Sequence, residues 1–387
     1  MVTKLGVVAL AGPGNGGTYQ YTLSMLHGLQ HVGGFDITLF GDPDNPDYVK
    51  LGYPIRPLTE SYARQLASLA LHRINLRLPD PFASQDIVLA PIYALALLHT
   101  AKPFAYTLHD LQEVHFPENF SRAQRLWRYQ LHSSLLKRAS RVICESGHVK
   151  SDIVRLFGTD EQRVAVIPAP PQRQYLTELS DDALRAARLR LRLPDKFVLY
   201  PAHYWPHKNH LRLVEAFRRV VNDAPDLKLV LTGKKIDDYQ KVVSAIDQAQ
   251  LGDQVIHLGF IDRDALQVVY QLATALVMPS LFESVSIPIY EAFQLGTPVA
   301  ASNVVALPEQ VGDAGLLFDP TSVDAISDAI LRLVRDPDFA SRLGQRGRER
   351  MQAMTPERYG GQLATVLREL EARAAGQNSK AKSGRPG

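Results

Sequence analysis

The stretch "SLFESVSIPIYEAFQLGTPVAAS", residues 280–302, sets two glutamates, Glu283 and Glu291, around an apolar run. Pro288 suits an early helical position and Gly296 the residue just past a C-terminus, so the spacing predicts a short helix over 286–295. The first N–H groups of that helix, near Val285, Ser286 and Ile287, lack intrahelical partners and suit an anion. Glu291, one to two turns in, is flanked by Ile289, Tyr290, Ala292 and Phe293. A carboxylate there is too costly to leave unpaired, and the vicinal hydroxyls of a ribose would pair it. Glu283, ahead of the helix, suits the hydroxyls of a second ring. Sugar, diphosphate and ribose would then lie in order along one segment. The helix dipole adds about 0.3–1 kcal/mol toward an anion at its N-terminus. An ordinary capped helix with two structural glutamates is the competing reading.

Three further clusters could do chemistry. In "YPAHYWPHKNHLRLVEAF", Lys208 precedes a helix starting near Leu211, with His203, His207 and His210 as added donors. A lysine beside helix N-terminal amides makes an anion site; a solvated cationic loop is the alternative. In "TLHDLQEVHFPENFS", His109 and Asp110 end a strand, where an imidazole can bind hydroxyls or trade protons near neutral pH. A His–Asp pair bracing a loop is equally compatible. With no third ligand obvious beside His109 and His115, a metal site is not expected. In "ALAGPGNGGTYQYTL", Gly12, Gly14 and Gly17 match G-x-G-x-x-G, and Asp42 ends the next strand. That is the pattern of an NAD-dependent oxidoreductase. It fits an unliganded turn or an anion or sugar loop as well. Asp42 and Asp44 in "GDPDNPD" form a D-x-D that could hold a metal, though Asp, Asn and Pro are turn formers.

These residues need a scaffold. With 387 residues, 45% hydrophobic and 21% charged, the chain suits two soluble globular domains. A net charge of +3 does not call for nucleic acid. The runs "LGVVAL", "DITLF", "DIVLA", "FAYTL", "RVICES" and "RVAVIP" read as strands of a first half. "FVLYPA", "LKLVLTG", "QVIHLG", "ALVMPS", "TPVAAS" and "GLLF" read as strands of a second. Helical stretches such as 211–221, 239–249 and 324–334 lie between them. Apolar strands alternating with helices predict α/β units with parallel sheets covered on both faces. The expected divisions are a Rossmann-like domain over 1–175, a proline- and charge-rich linker over 176–195, and a second Rossmann-like domain over 196–354. A C-terminal helix over 355–375, crossing back to the first domain, and a disordered tail over 376–387 complete the layout. Ligands of open parallel sheets bind outside the carboxyl ends of the strands, where the clusters above fall. The N-terminus reads as a strand rather than a signal peptide. One cysteine, Cys144, excludes an internal disulfide and suits a reducing cytoplasm. No apolar run is long enough to span a membrane.

The segment 279–302 resembles the E-x7-E signature of retaining, nucleotide-sugar-dependent glycosyltransferases of family four. "GNGGTYQYTLSML", "HDLQEVHFPENF", "LLKRASRVICESGHVKSDI", "PHKNHLRLVEAF", "LKLVLTGKK", "VIHLGFI" and "VVALPEQVGDAGLLFDP" resemble that family's other segments, in its order. The resemblance covers about nine tenths of the chain. It implies the GT-B fold, two Rossmann-like domains facing each other across a cleft, with the acceptor on the first and the nucleoside diphosphate sugar on the second. It implies that Glu291 binds ribose hydroxyls, Glu283 donor-sugar hydroxyls and Lys208 the diphosphate, and that His109 contacts the donor sugar near the reaction centre. It implies that Gly16 and Gly17 let the first loop approach the donor, and that Gly233, Phe260 and Ile261 lie near the base. The chain departs from the family in having Ser284 and Ser286 where glycines are usual, and His203 where an arginine is frequent.

The resulting expectation is a metal-independent, cofactor-free hexosyltransferase. It moves a sugar by same-face displacement to a saccharide or lipid-linked saccharide in surface polysaccharide synthesis. "PHKN" resembles the mannosyl- and rhamnosyltransferase-like members of the family that build bacterial surface polysaccharides, and that resemblance leans the donor to GDP-mannose. A non-catalytic nucleotide-sugar-binding protein is the remaining alternative, beside the oxidoreductase. The stretch 121–141 carries Arg122, Arg125, Arg128, Lys137, Arg138 and Arg141 with no acidic residue. Such a helix either packs with solvated arginines or contacts an anionic membrane, which would make a cytoplasmic protein peripheral at the inner face.

Overall fold

A computed structural model describes residues 2–74, 76–171 and 176–383. The chain forms two compact units. The first joins Met1–Pro170 to Thr355–Gly387, and the second is Pro171–Met354.

The first unit holds strands β1 (Thr3–Ala9), β2 (Phe35–Gly41), β3 (Ile55–Pro57), β4 (Ile87–Ala90), β5 (Phe104–Thr107), β6 (Arg141–Cys144) and β7 (Val164–Val166). They make one parallel sheet in the order β3-β2-β1-β4-β5-β6-β7. Successive side chains point to opposite faces, so each apolar run feeds two cores. Leu5, Val7 and Ala9 pack on one face with Ile37, Leu39, Leu89 and Ile143. Val8 packs on the other with Phe40, Val88, Tyr106 and Val142. Strand β3, absent from the sequence-based list, is an edge strand of three residues that ends on Pro57, where a missing N–H is tolerated.

The helix Pro356–Ser383 belongs to this unit and buries Tyr359, Leu363, Val366, Leu367 and Leu370 against the face formed by Leu5 and Val7. It continues through 376–383, where the polar composition suggests disorder, since no proline or glycine interrupts 377–383. Residues 384–387 of the expected tail lie outside the described residues.

The second unit holds β8 (Phe197–Pro201), β9 (Lys228–Thr232), β10 (Val255–Gly259), β11 (Ala275–Met278), β12 (Val299–Ser302) and β13 (Gly315–Phe318). They form a parallel sheet in the order β10-β9-β8-β11-β12-β13. Residues 176–195, read as a linker, contain the helix Asp181–Leu191, capped by the Ser180 side chain with two acidic residues in its first turn. That helix packs on the helix Arg263–Leu272 of the same unit. The helix Ile287–Leu295 is held from outside by the helix Pro337–Gln352. A Cβ at Gly344 would lie 2.2 Å from the Gly296 carbonyl, and one at Gly347 would lie 2.6 Å from the Phe293 ring. Glycine at both positions is what lets the supporting helix come this close.

Candidate active site

In both sheets the strand order reverses next to the first strand, between β1 and β4 and between β8 and β11. A crevice at the carboxyl ends is expected at each such point. In the second unit the residues expected from sequence all follow carboxyl ends. His203 and Lys208 follow β8, Gly233 follows β9, and Phe260 and Ile261 follow β10. Glu283, Val285, Ser286, Ile287 and Glu291 follow β11.

Lys208 ends the 3-10 turn Pro206–Lys208, and its Nζ donates to Glu283 Oε1 at 2.5 Å. Both side chains are largely buried, with 19% and 9% of their surface exposed. The Ser280 hydroxyl donates to the same oxygen at 2.8 Å. The Tyr200 hydroxyl donates to the Lys208 carbonyl at 2.6 Å, and the Leu281 N–H donates to the His207 carbonyl at 2.7 Å. Asn209 adopts the left-handed conformation, φ 61°, and its side-chain amide donates to the Pro279 and Pro320 carbonyls at 2.9 Å each. The loops after β8 and β11 are therefore tied together at several points, and the Lys208–Glu283 pair lies where they meet. The two residues expected to serve separate parts of a ligand are paired with each other.

Glu291 sits inside the helix Ile287–Leu295 and accepts the Tyr270 hydroxyl at 2.7 Å through Oε2. Burial raises its pKa above the usual carboxylate value, against the lowering effects of the Tyr270 bond and the Arg263 charge. The partner that burial demands is thus supplied, at least at Oε2, by the protein. Ser286 caps this helix with a negative φ of −107°. Its N–H is not available to an anion, which corrects the expectation for that residue. It donates to Gln310 Oε1 at 2.9 Å, while the Gln310 amide returns a bond of 2.6 Å to the Ser286 carbonyl. The Ser286 hydroxyl is buried with no hydrogen-bond partner among the described residues. The Ile287 N–H, at the first helical position, has no acceptor within its own helix.

His203 Nδ1 accepts the Lys234 N–H at 3.1 Å, which fixes the tautomer with hydrogen on Nε2. Burial, with the Lys234 and Lys208 charges, lowers its pKa. The position frequently held by arginine is therefore neutral at pH 7. Phe260 is 69% exposed, with the His203 ring at 6.2 Å and Lys234 Nζ 5.5 Å from its centroid. This gives an open aromatic face flanked by one cation, Lys234, and one neutral imidazole, His203. Gly233 has φ 134°, and a Cβ there would lie 2.3 Å from the Ala202 carbonyl. Glycine is required at that position by the closeness of the β8 and β9 ends alone.

In the first unit His109 follows β5. Its Nδ1 is 3.0 Å from Glu145 Oε2, and its Nε2 is 3.0 Å from the Pro91 carbonyl. Both acceptors are satisfied together only by the imidazolium. Burial pushes the His109 pKa down, but the bond and charge of Glu145, with Asp110, carry it upward overall. The Tyr21 ring meets the imidazole edge-on at 4.6 Å, and its hydroxyl lies 3.0 Å from that of Thr107. Glu145 was not anticipated. Its only local signal is an acidic residue directly after an apolar strand, β6.

The glycine loop departs from a dinucleotide site. A 3-10 turn over Pro13–Asn15 separates β1 from the helix Gly17–Leu29, so Gly12, Gly14 and Gly17 do not share one tight turn. Gly16, at φ 55° and ψ −122°, is the residue whose backbone demands glycine. Asp42 Oδ1 accepts the Asp44 N–H at 3.0 Å, so the D-x-D is a turn. The helix Arg122–Arg138 buries Leu131, Leu135 and Leu136, and half of the basic residues read on it point to protein partners. Arg128 donates to Glu113 at 2.8 Å, Arg138 donates to the Thr100 carbonyl, and Arg141, just beyond the helix, lies 2.9 Å from Glu369. Arg122, Leu126, Tyr129 and Lys137 remain exposed. Among the described residues no helix is long and apolar enough to cross a membrane.

The family model for glycosyl transferases group 1 matches residues 184–350, and that for glycosyltransferase family 4 matches residues 15–170. The chain is 28% identical over 253 residues to O-antigen chain mannosyltransferase B of Escherichia coli, covering 65% of this chain and 66% of that protein. It is 23% identical over 347 residues to O-antigen chain mannosyltransferase RfbU of Salmonella typhimurium, covering 87% and 93%. The solved structure of sucrose-phosphate synthase from Thermosynechococcus elongatus shares the fold, with a TM-score of 0.77 at 23% identity over 96% of this chain and 100% of that one. The two family models match in order, one in each unit, and the fold is shared with sucrose-phosphate synthase. The chain therefore belongs to glycosyltransferase family four and has the GT-B fold.

Proposed function

We propose that this glycosyltransferase moves a hexose, mannose from GDP-mannose in the first instance, to a saccharide or lipid-linked saccharide of a surface polysaccharide, with retention of anomeric configuration. The observation that carries the donor site is the Lys208–Glu283 pair at the strand-order reversal of the second unit, beside the N-terminus of the helix bearing Glu291. Donor binding transfers Lys208 Nζ from Glu283 to the diphosphate and frees Glu283 for hydroxyls of the sugar. The Oε1 atom of Glu291 takes the ribose, and Phe260 takes the base. As the glycosidic bond to phosphate breaks, charge grows on the leaving diphosphate. Lys208 and the helix amides stabilise it without a metal ion. The departing phosphate takes the acceptor proton on the same face. His109, an imidazolium held by Glu145, is proposed to contact the donor sugar, with Nε2 exchanging the Pro91 carbonyl for a sugar oxygen. The mannose assignment is supported by the two O-antigen mannosyltransferase relatives.

A thermal-shift comparison of GDP, UDP, ADP and dTDP tests the donor. A nucleotide at 100 times its Kd raises stability by about 2.7 kcal/mol. GDP is expected to give the largest shift, and an equal response to all four, or none, overturns the assignment. The acceptor side is proposed to meet the cytoplasmic leaflet through the stripe Arg122, Leu126, Tyr129 and Lys137, with about 1 kcal/mol from each basic residue. Co-sedimentation with anionic but not neutral vesicles, lost in Arg122→Glu/Lys137→Glu, is the expected result. Equal recovery in the supernatant with both vesicle types points to a soluble acceptor.

A further inference from the structure

One cluster of ligand-type side chains has no part in the donor site. His115 ends the short helix Gln112–His115 on the loop that begins at His109. His148 and Asp152 stand at i and i+4 on the helix Gly147–Phe157, and so share one face of it. The Nε2 atoms of both histidines face a single atom, Oδ2 of Asp152. His115 hydrogen-bonds to it directly, and His148 is 3.6 Å away. The two imidazole rings lie 5.4 Å apart between centroids, tilted by 43°. The three ligand atoms fall within 4.8 Å of one another.

That spacing is close to what one ion would gather. Zinc bonds of about 2.0–2.1 Å in a tetrahedral site put neighbouring ligand atoms roughly 3.3 Å apart. The carboxylate is also held from behind, since Arg155 Nη2 donates to the other oxygen, Oδ1, at 2.6 Å. Such outer partners fix the ligand orientation at metal sites. Asp152 is buried, while the His115 and His148 side chains are 25% and 33% exposed, so an ion has a route in and water has a fourth position.

We propose that His115, His148 and Asp152 form a three-ligand site for a zinc-class divalent transition metal ion, which ties the His109 loop to the helix that follows Glu145. Two imidazoles and one carboxylate suit zinc and cobalt; magnesium asks for an octahedron of oxygens. The ion braces the first unit. It has no step in the transfer chemistry, which runs through Lys208.

The test uses the full chain, stripped with chelator and exchanged into metal-free buffer. Calorimetric titration with Zn²⁺ is expected to show one ion per chain, a higher melting temperature, and no response to Mg²⁺. Co²⁺ is expected to give the visible absorption of a four-coordinate site. His148→Ala, on a partly exposed helix position, is expected to remove the Co²⁺ spectrum and weaken Zn²⁺ binding at least tenfold while leaving the metal-free melting temperature in place. His115→Ala gives an independent check from the loop side. The proposal is overturned if wild-type protein takes up no stoichiometric Zn²⁺. It is equally overturned if both variants bind as wild type does, because the three residues would then be a hydrogen-bonded brace only.

Discussion

Replacing Lys208 by methionine separates the electrostatic job of this residue from its structural one. The substitution leaves the Glu283 carboxylate, 9% exposed, with the Ser280 hydroxyl at 2.8 Å as its remaining side-chain donor among the described residues. Breaking a buried pair by removing one partner costs about 3–5 kcal/mol, and the partial exposure of Lys208 argues for about 3. At roughly 2–4 °C per kcal/mol for a unit of this size, the melting temperature should fall by roughly 6–12 °C. Glu283→Gln removes the carboxylate charge, so Lys208→Met/Glu283→Gln should recover most of that loss. Nucleotide affinity should follow a different pattern. A hydrogen bond to a charged group is worth about 1.5–3 kcal/mol, so Lys208→Met should weaken binding of the free nucleoside diphosphate by roughly 10–100-fold. The double variant should stay equally weak, although it melts normally. Glu283→Gln alone should bind the diphosphate as well as wild type or better, because Lys208 is released from its pair, while sugar transfer falls. Calorimetric Kd values and melting curves on the four proteins complete a double-mutant cycle. If the double variant regains wild-type diphosphate affinity, or if Glu283→Gln and Lys208→Met weaken it alike, the assignment of Lys208 to the diphosphate is wrong.

Other substitutions probe the same site from different sides. Because the folded pKa of Glu291 is raised, its contribution favours the fold below the ordinary carboxylate value of 4.5 and is lost as pH rises through the folded pKa. Glu291→Gln should therefore melt at or above wild type at pH 7 and still bind nucleotide about tenfold or more weakly, as thermal shift and calorimetry would show. His203→Arg supplies a permanent cation where a neutral imidazole now stands. It should tighten diphosphate binding about tenfold and abolish any gain in affinity expected of wild type as pH falls and His203 takes up a proton. The raised pKa of His109 gives stability that is full below 6.5 and lost as pH rises through its folded value. Glu145→Gln should remove that term, so its melting deficit should be largest near pH 6 and shrink at higher pH, with a lowered His109 titration by NMR. If, as proposed, Lys208 and the helix N-terminus stabilise the leaving group, Mg²⁺ and Mn²⁺ added back to EDTA-treated protein should leave the transfer rate unchanged; a strict requirement would return attention to Asp42 and Asp44.

The parallel sheets were legible because their strands are buried on both faces and read as unbroken apolar runs. Ile55–Pro57 was missed because a three-residue edge strand has too little burial to leave a pattern. The helix Asp181–Leu191 was hidden under its proline- and charge-rich surroundings, although Ser180 followed by two aspartates is a helix start in its own right. The placement of the candidate site residues at carboxyl strand ends was legible because such loops can be read off the order of elements. Their partners were not, because those partners come from distant segments. Glu283 meets Lys208 across 75 residues of sequence, Glu291 meets Tyr270 across 21, and His109 meets Glu145 across 36. Gln310 occupies the Ser286 N–H from 24 residues away, and no local signal announces it.

The most direct test of retaining transfer is the stereochemistry of slow donor hydrolysis. GDP-α-mannose is incubated with the protein and water as the only acceptor, and the first-formed mannose is followed by proton NMR before it mutarotates. GDP and mannose should appear together, with the α-anomer formed first, and Lys208→Met should slow the release. Mannose appearing first as the β-anomer would contradict the same-face displacement, and bound but intact donor would contradict catalysis.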